Sequence, residues 1–148
     1  MDSAGAVSGM SKKHERLASL FKAGDRYSRE RIKSIIGIDE PAGGNWYTGY
    51  HRVGNTVFIF STVGTPARTG HEYGDQWLDD ERFEWRGKTQ STLKQPLTRF
   101  MLSDDSEVLL FVRESNRASF TFAGIAKFQA AFDEKPFRII WATQRSKR

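Results

Sequence analysis

The sequence predicts an α+β fold that is mainly β, in which two N-terminal helices precede a small, strongly curved antiparallel sheet or barrel. From residue 44 onward, aromatic and β-branched runs alternate with turn residues and no helices intervene, which disfavours a doubly wound parallel sheet. The two clear helical patterns stand before residue 39. The 148 residues are 38% hydrophobic and 13% aromatic, which is enough for one domain with its own core.

The two helices are predicted in residues 11–25 and 27–38. The first segment places its apolar side chains at helical spacing and ends near a glycine. The second begins at Ser28, carries isoleucines on one face and ends at Gly37. Residues 12–33 also hold eight Lys or Arg against three acids, which indicates either a solvated helix face or part of a phosphate-contacting rim.

The β part of the prediction rests on apolar runs separated by turn signals. Gly54 and Asn55 form such a signal, so residues 45–64 are predicted as a hairpin whose second arm contains VFIF, a buried central strand. Further strands are predicted in the segments RFEWRG, EVLLFVRES, ASFTFAGIAKFQAAF and KPFRIIWATQ. Loops are expected in TPARTG and around Pro96, and the segment around Trp77 permits one helical turn.

Composition bounds the class of protein. Cysteine is absent, which excludes disulfides, thiolate metal sites and a cysteine nucleophile. There is no run of about 18 apolar residues and the start lacks the apolar centre of a signal peptide, so a cytoplasmic protein without a membrane partner is expected. We expect residues 1–9 to be a disordered tail, 10–143 one domain, and 144–148 a basic tail.

Charge and side-chain chemistry single out one candidate DNA-binding segment. The net charge of +5 favours a polyanionic partner, and residues 85–103 contain no acid. In this segment, the cations are able to neutralise phosphates, and the short polar side chains are able to bond to phosphates or base edges. An indole can stack on a base, and Gly87 gives the backbone room to approach a ligand closely. The predicted DNA-contacting residues are Trp85, Arg86, Lys88, Gln90, Ser91 and Lys94, together with Arg113 at a strand end.

Competing interpretations exist at two of these positions. Trp85 is equally typical of a core residue, and Arg113, which precedes Glu114, is typical of a structural ion pair. The DNA hypothesis predicts salt-sensitive binding that collapses when Arg86 and Lys88 become alanine. It also requires that the segment lies neither inside the molecule nor against carboxylates of its own chain.

A second aromatic group lies in the first arm of the predicted hairpin and after its second arm. In a strand, Trp46 and Tyr50 share one face while Tyr47 points to the other, and a face with two rings is able to line a pocket for a flipped base. An aromatic core layer is the competing interpretation. The candidate base pocket comprises Trp46, Tyr47, Tyr50, His71 and Tyr73.

No catalytic centre and no cofactor are expected. The three histidines form no i, i+4 pair, and neither a Gly-x-Ser-x-Gly elbow nor a phosphate-cradling GxxxxGK[ST] loop is present. The remaining enzyme alternative is a small metal-dependent nuclease, whose carboxylates and following cation would be Asp75, Asp79, Asp80 and Glu84 with Arg86 or Lys88. An acidic surface turn before a strand is the simpler interpretation of that group.

Six motifs occur in order over residues 27–142: YSRERIKSIIG, GNWYTGY, TGHEYGDQW, FEWRGKTQSTLKQP, LLFVRES and FTFAGIA. Together they resemble an uncharacterised domain fused to bacterial HNH endonucleases of the modified-DNA restriction type. A more distant resemblance is to the C-terminus of helicases that carry a phospholipase-D-type nuclease. Those relatives tend to have Trp-Gln-Ser-Gln where this chain has Trp85-Arg86-Gly87-Lys88, so the endonuclease-linked variant is the better guide.

The resemblance implies a double-stranded DNA-recognition module of a restriction or defence system, with modified cytosine as the candidate signal. A separate nuclease domain or subunit would do the cutting. It implies one of two folds: the DNA-binding pseudobarrel shared with plant transcription-factor effector domains, or a barrel of the SRA/PUA-like kind. A protein-interaction or regulatory module with surplus basic charge is the alternative function, and it predicts an exposed apolar patch.

Overall fold

The computed structural model describes residues 16–38, 49–63, 75–87 and 91–143. The predicted tails, residues 1–9 and 144–148, lie outside these residues. The elements are β1 (Arg26–Tyr27), α1 (Arg29–Ile36), β2 (Tyr50–Val53), β3 (Thr56–Thr62), β4 (Gln76–Trp77), β5 (Arg82–Arg86), α2 (Pro96–Met101), β6 (Glu107–Arg113), β7 (Phe120–Phe132) and β8 (Arg138–Ala142).

The strands form one mixed sheet in the order β2-β3-β6-β7-β8-β5-β4, with β1 beside β7. The long strand β7 carries the sheet around a bend, because it pairs with β1 through its first residues and with β8 through its last. Gly124, at φ +115°, stands where its pairing with β6 shifts by one residue, and such bulges bend a strand. In the described part of the chain, β2 and β4 are free edges, so the sheet is open and not a closed barrel.

The prediction of a mainly β fold is confirmed, and so is the hairpin around Gly54, whose arms are β2 and β3. The all-antiparallel arrangement is wrong. Strand β3 pairs in parallel with β6, from Thr56 opposite Glu107 to Thr62 opposite Arg113. More than forty residues of chain separate these two strands, which is ample for the crossover that a parallel pair needs. Trp77 lies in the short strand β4 rather than on a helical turn.

One helix was predicted correctly and one was misplaced. The side chain of Ser28 accepts a hydrogen bond from the Arg31 amide and begins α1, and Gly37, at φ +82°, ends it. The described part of the other predicted helix holds only a 3-10 turn at Ala18–Leu20. The second α-helix is α2, in the predicted loop, where Pro96 occupies the first turn, a position that requires no backbone N–H.

The core has two parts, one on each face of the sheet. Along β3, Val57 and Ile59 pack into one cluster and Phe58 and Phe60 into the other, as the period of two in a strand requires. Strand β6 behaves in the same way. The prediction that VFIF is a buried central strand is therefore confirmed. No helix among the described residues is long and apolar enough to cross a membrane.

Candidate nucleic-acid interface

Trp85 lies in the core and not at the surface. Its side chain is 2% exposed and makes edge-to-face contacts with Tyr50, at 5.1 Å between ring centroids, and with Phe137, at 5.4 Å. Tyr50 is buried as well, and burial raises the pKa of its hydroxyl. The expectation of an accessible indole at position 85 is thus corrected, because β5 is an interior strand and alternation turns this residue inward. Tyr50 is also a core residue, as the competing interpretation of an aromatic core layer predicted.

Gly87 makes room for the protein's own core. Its N–H donates to the Phe137 carbonyl at 3.0 Å, and the Phe137 N–H donates to the Ser91 carbonyl at 3.2 Å. A Cβ at Gly87 would collide with the Phe137 ring and the Ser91 hydroxyl. The close approach predicted for a ligand is therefore made by Phe137. Ser91 is buried at 4% exposure, so its predicted contact with DNA is not available in this structure.

Arg86 faces carboxylates of its own chain. Its Nη1 lies 3.8 Å from Glu134 Oε1, and its backbone N–H donates to Asp75 Oδ1 at 3.0 Å. Arg138 on the neighbouring strand binds both Glu84 and Glu134, at 2.9 and 3.3 Å. Arg86 therefore lies among carboxylates of its own chain, which is the arrangement that the DNA hypothesis for this segment excluded.

Asp75 is the most perturbed acid of this network. Burial raises the pKa of its carboxyl to about 6, although the Ser61 hydroxyl and the Arg86 amide both donate to it. The pKa of Glu84 moves the other way: burial opposes ionisation there, but hydrogen bonds from Gln76 and Arg138 outweigh it. The charged side chains around β4 and β5 therefore form hydrogen bonds and ion pairs with their neighbours.

The acidic turn between β4 and β5 is held by Asp79. Its carboxylate accepts from the backbone amides of Glu81 and Arg82, at 2.9 and 2.8 Å, and from Arg82 Nε at 2.8 Å. In the part of the chain that the structure describes, no group of three or more His, Asp or Glu side chains is arranged to hold a metal ion. The Asp79 carboxylate thus holds the turn that precedes β5.

Six of the predicted residues lie outside the described ranges: Lys88, Gln90, Trp46, Tyr47, His71 and Tyr73. Lys94 is described and exposed, in the turn that leads into α2. Its DNA contact stays a prediction.

Arg113 differs from Arg86 because its partners are neutral. Its Nε donates to Thr62 Oγ1 at 2.9 Å, its Nη1 donates to the Asn116 carbonyl at 3.3 Å, and its guanidinium lies 4.4 Å from the centre of the Phe120 ring. Burial lowers the pKa of Arg113. Within the described ranges no carboxylate forms an ion pair with it, Glu114 included. The ion-pair interpretation of Arg113 is therefore wrong.

Three more arginines surround Arg113. Arg29, at the start of α1, lies 4.9 Å from the centre of the same Phe120 ring, while Arg117 and Arg26 are exposed. We name Arg26, Arg29, Arg113 and Arg117 the arginine cluster. Sequence reasoning named only Arg113, although the excess of basic residues over 12–33 was a signal for Arg26 and Arg29.

The arginine cluster lines two adjoining clefts. The first, about 440 Å³, lies between the start of α1 and the β6–β7 turn, and Arg29, Arg113 and Arg117 form its walls. The second, about 370 Å³, lies beside it, with Arg26 and Arg113 at its edge and Trp77 in its wall. Both include Arg113, Ala118 and Ser119, so they meet at the end of β6.

Comparison with known proteins places the chain in a family. No curated protein matches it. A solved structure of the "DNA modification-dependent restriction endonuclease AspBHI" is similar, with a TM-score of 0.46 and 13% identity, over 84% of this chain and 77% of that chain. The family described as "Domain of unknown function (DUF3427)" matches residues 21–142, and the chain belongs to this family.

Proposed function

We propose that this chain is a double-stranded DNA-binding specificity module of a restriction or defence system, without a cutting centre of its own. The restriction context comes from the six motifs. The observation that carries DNA binding is the arginine cluster, which brings four guanidinium groups from two separate segments of the chain, residues 26–29 and 113–117, to two adjoining clefts. Modified cytosine is the candidate signal, and a nuclease domain or subunit is the expected partner.

Arg113 explains why an anion belongs in these clefts. A guanidinium that is partly buried without a carboxylate loses hydration that its neutral partners replace only in part. A phosphate would restore the missing charge and accept two parallel N–H bonds from the guanidinium fork. Thr62 and Phe120 hold that fork in place before DNA arrives, which lowers the entropy lost on binding.

The balance of charge in the clefts also favours an anion. Two carboxylates, Glu30 and Glu114, share the walls with the four arginines, so cations outnumber acids. Arg26 and Arg117 are exposed at the rim, where a phosphate backbone makes its first contacts. The main-chain turn between β6 and β7 adds the polar side chains of Asn116 and Ser119.

The test is the double substitution Arg26→Ala and Arg117→Ala. Both side chains are exposed, so the fold should persist, while affinity for a duplex of about 20 base pairs should fall by about tenfold or more. The slope of log K against log salt should drop by about 2, one for each lost phosphate contact. Fluorescence anisotropy at several salt concentrations measures both quantities.

The matched control is Lys127→Ala with Lys135→Ala, which removes the same charge from exposed positions outside the arginine cluster. It should change affinity by less than about threefold. Equal losses in the two double variants would show that net charge alone attracts DNA. Retention of full affinity by the arginine variant would overturn the proposed interface.

One observation favours the alternative, a protein-interaction module. Phe128 is 51% exposed on β7 and lines neither of the two arginine-walled clefts. Its neighbour Phe132 is partly covered, because Arg138 stacks on the ring at 3.8 Å. This alternative predicts no DNA binding at physiological salt, together with self-association or partner binding that Phe128→Ser weakens. The wild-type salt titration separates the two functions.

A further inference from the structure

We infer that the 370 Å³ cleft holds the base of one unpaired nucleotide whose phosphate lies in the 440 Å³ cleft, with Arg113 between them. This inference rests on the proposed DNA binding. It adds that the module recognises a nucleotide taken out of the helix and does not only follow the duplex backbone. The cleft is hereafter the base cleft, and its walls include Val63, Trp77, Arg113, Glu114 and Thr121.

The walls of the base cleft combine the two surfaces that a nucleobase needs. Trp77 and Val63 offer apolar surface to the faces of a ring, while Glu114 and Thr121 offer hydrogen-bonding groups to its edges. Phe83 contacts Trp77 edge-on, at 4.9 Å between centroids, and so fixes the orientation of the indole. A ligand with flat apolar faces and polar edges is therefore favoured over an aliphatic or purely ionic one.

The size and surroundings of the base cleft favour a single nucleoside. Its volume lies near the lower end of small-molecule sites, which span about 300 to 1,000 Å³. A volume of this size suits one base with its sugar. The neighbouring cleft is polar and walled by Arg29, Arg113 and Arg117. The apolar and cationic parts thus meet side by side, as the base and phosphate of a nucleotide do.

Arg113 is suited to a position between the base and the phosphate because three contacts hold its side chain in place. It is held from β3 by Thr62, from the β6–β7 turn by Asn116, and from β7 by Phe120. A guanidinium fixed in this way keeps the phosphate at one distance from the base cleft.

The inference predicts a preference between two DNA molecules. Taking a base out of a paired helix costs free energy, and the cost is smallest where the base is already mismatched. The wild-type chain should therefore bind a duplex with one mismatched or bulged base about tenfold more tightly than the same duplex fully paired, at one salt concentration. Anisotropy titrations with the two duplexes give the ratio.

Thr121→Trp is the variant that fills the base cleft, because Thr121 is a half-buried strand residue in its wall. It should abolish the preference for the mismatched duplex, so that the ratio of the two affinities falls to about one. Gln129→Trp adds the same indole at an exposed position of β7 and should retain the preference. If Thr121→Trp does not fold, the indole N–H signal of Trp77 in the wild-type chain decides. It should shift with the mismatched duplex and not with the paired one.

The outcomes separate this inference from the proposed function. Salt-dependent binding of the paired duplex with no preference for the mismatched one overturns the base cleft and leaves the DNA-binding module intact. An unchanged preference in Thr121→Trp, or an unmoved Trp77 signal, overturns it as well. Absence of binding to either duplex at physiological salt overturns the proposed function itself.

Discussion

The segment at residues 85–95 and the arginine cluster look alike as sequence, since each sets arginine beside aromatic residues, and they differ in what the fold places opposite them. Arg86 lies on β5 beside β8, and the turn before β8 supplies Glu134. Arg113 ends β6 beside β7, which supplies the Phe120 ring and no acid. The first arginine meets carboxylates, whereas the second meets a hydroxyl, a carbonyl and a ring.

This difference shows that a cation becomes available to a ligand through its neighbours in space. A run without acids, such as residues 85–103, says nothing about the acids that other strands bring. Ion pairs within the chain stabilise the fold modestly and match the charge locally, while an arginine with neutral partners, such as Arg113, retains the field that attracts DNA. Five substitutions test this comparison, from the largest expected effect to the smallest.

Trp85→Ala should destabilise the protein most, by about 3 to 5 kcal/mol, because it leaves a cavity among buried aromatic rings. Thermal unfolding followed by near-UV circular dichroism measures the loss. Phe128→Ala, at an exposed ring, is the control and should cost less than about 1 kcal/mol. A stable Trp85→Ala protein that fails to bind DNA would instead restore the surface role of this indole.

Asp75→Asn should change how stability depends on pH. The pKa of Asp75 is about 6 in the folded chain, above its ordinary value, so the folded state binds more protons at intermediate pH and stability falls as the pH rises. Relative to the Asn variant, the wild-type free energy of unfolding should fall by at most about 3 kcal/mol between about pH 4 and 7. Urea denaturation across that range measures the difference.

Asp79→Asn is the control for this pH dependence. Hydrogen bonds from the backbone amides of Glu81 and Arg82 and from the Arg82 side chain hold the pKa of Asp79 below its ordinary value. Its contribution is therefore complete above the ordinary pKa and is lost as the pH falls, the opposite direction. A wild-type difference from Asp75→Asn that does not vary with pH would contradict the buried position of that carboxyl.

Gly87→Ala should cost about 1 to 3 kcal/mol, because the added methyl group meets the buried Phe137 ring, which has little room to move. Denaturant unfolding gives the value, and Lys94→Ala, at an exposed neighbour, supplies the baseline. If Gly87→Ala is as stable as the wild type but loses DNA affinity, the glycine serves a ligand after all.

Arg86→Ala and Arg117→Ala should affect different properties, the first stability and the second DNA affinity, and both effects should be smaller than those above. Arg86→Ala should lower stability by on the order of 1 kcal/mol, through its partly exposed pair with Glu134, and leave DNA affinity within about twofold. Arg117→Ala should leave stability unchanged and weaken DNA binding by about three- to tenfold. If Arg86→Ala weakens DNA binding more than Arg117→Ala does, the DNA interface lies in the segment at residues 85–95 and not at the arginine cluster.

Parts of the fold followed from local signals and parts did not. The hairpin at Gly54 and the helix from Ser28 to Gly37 were predicted because turn and capping residues act within a few positions. The helix at Pro96–Met101 was missed because proline was treated as a loop signal, although it is also favoured in a first helical turn. The parallel pairing of β3 with β6 depends on contacts between distant segments, which no local pattern carries.

By itself, the sequence determined a basic, mainly β chain with a buried VFIF strand and an excess of cations near its start. Only the tertiary structure decided which cations face carboxylates and which face open clefts. The physical reason is that charge pairing depends on distances across strands, and strand order brings together residues far apart in the chain. Arg113 and Arg29 meet at one phenyl ring although 83 positions separate them, and that contact forms the candidate interface.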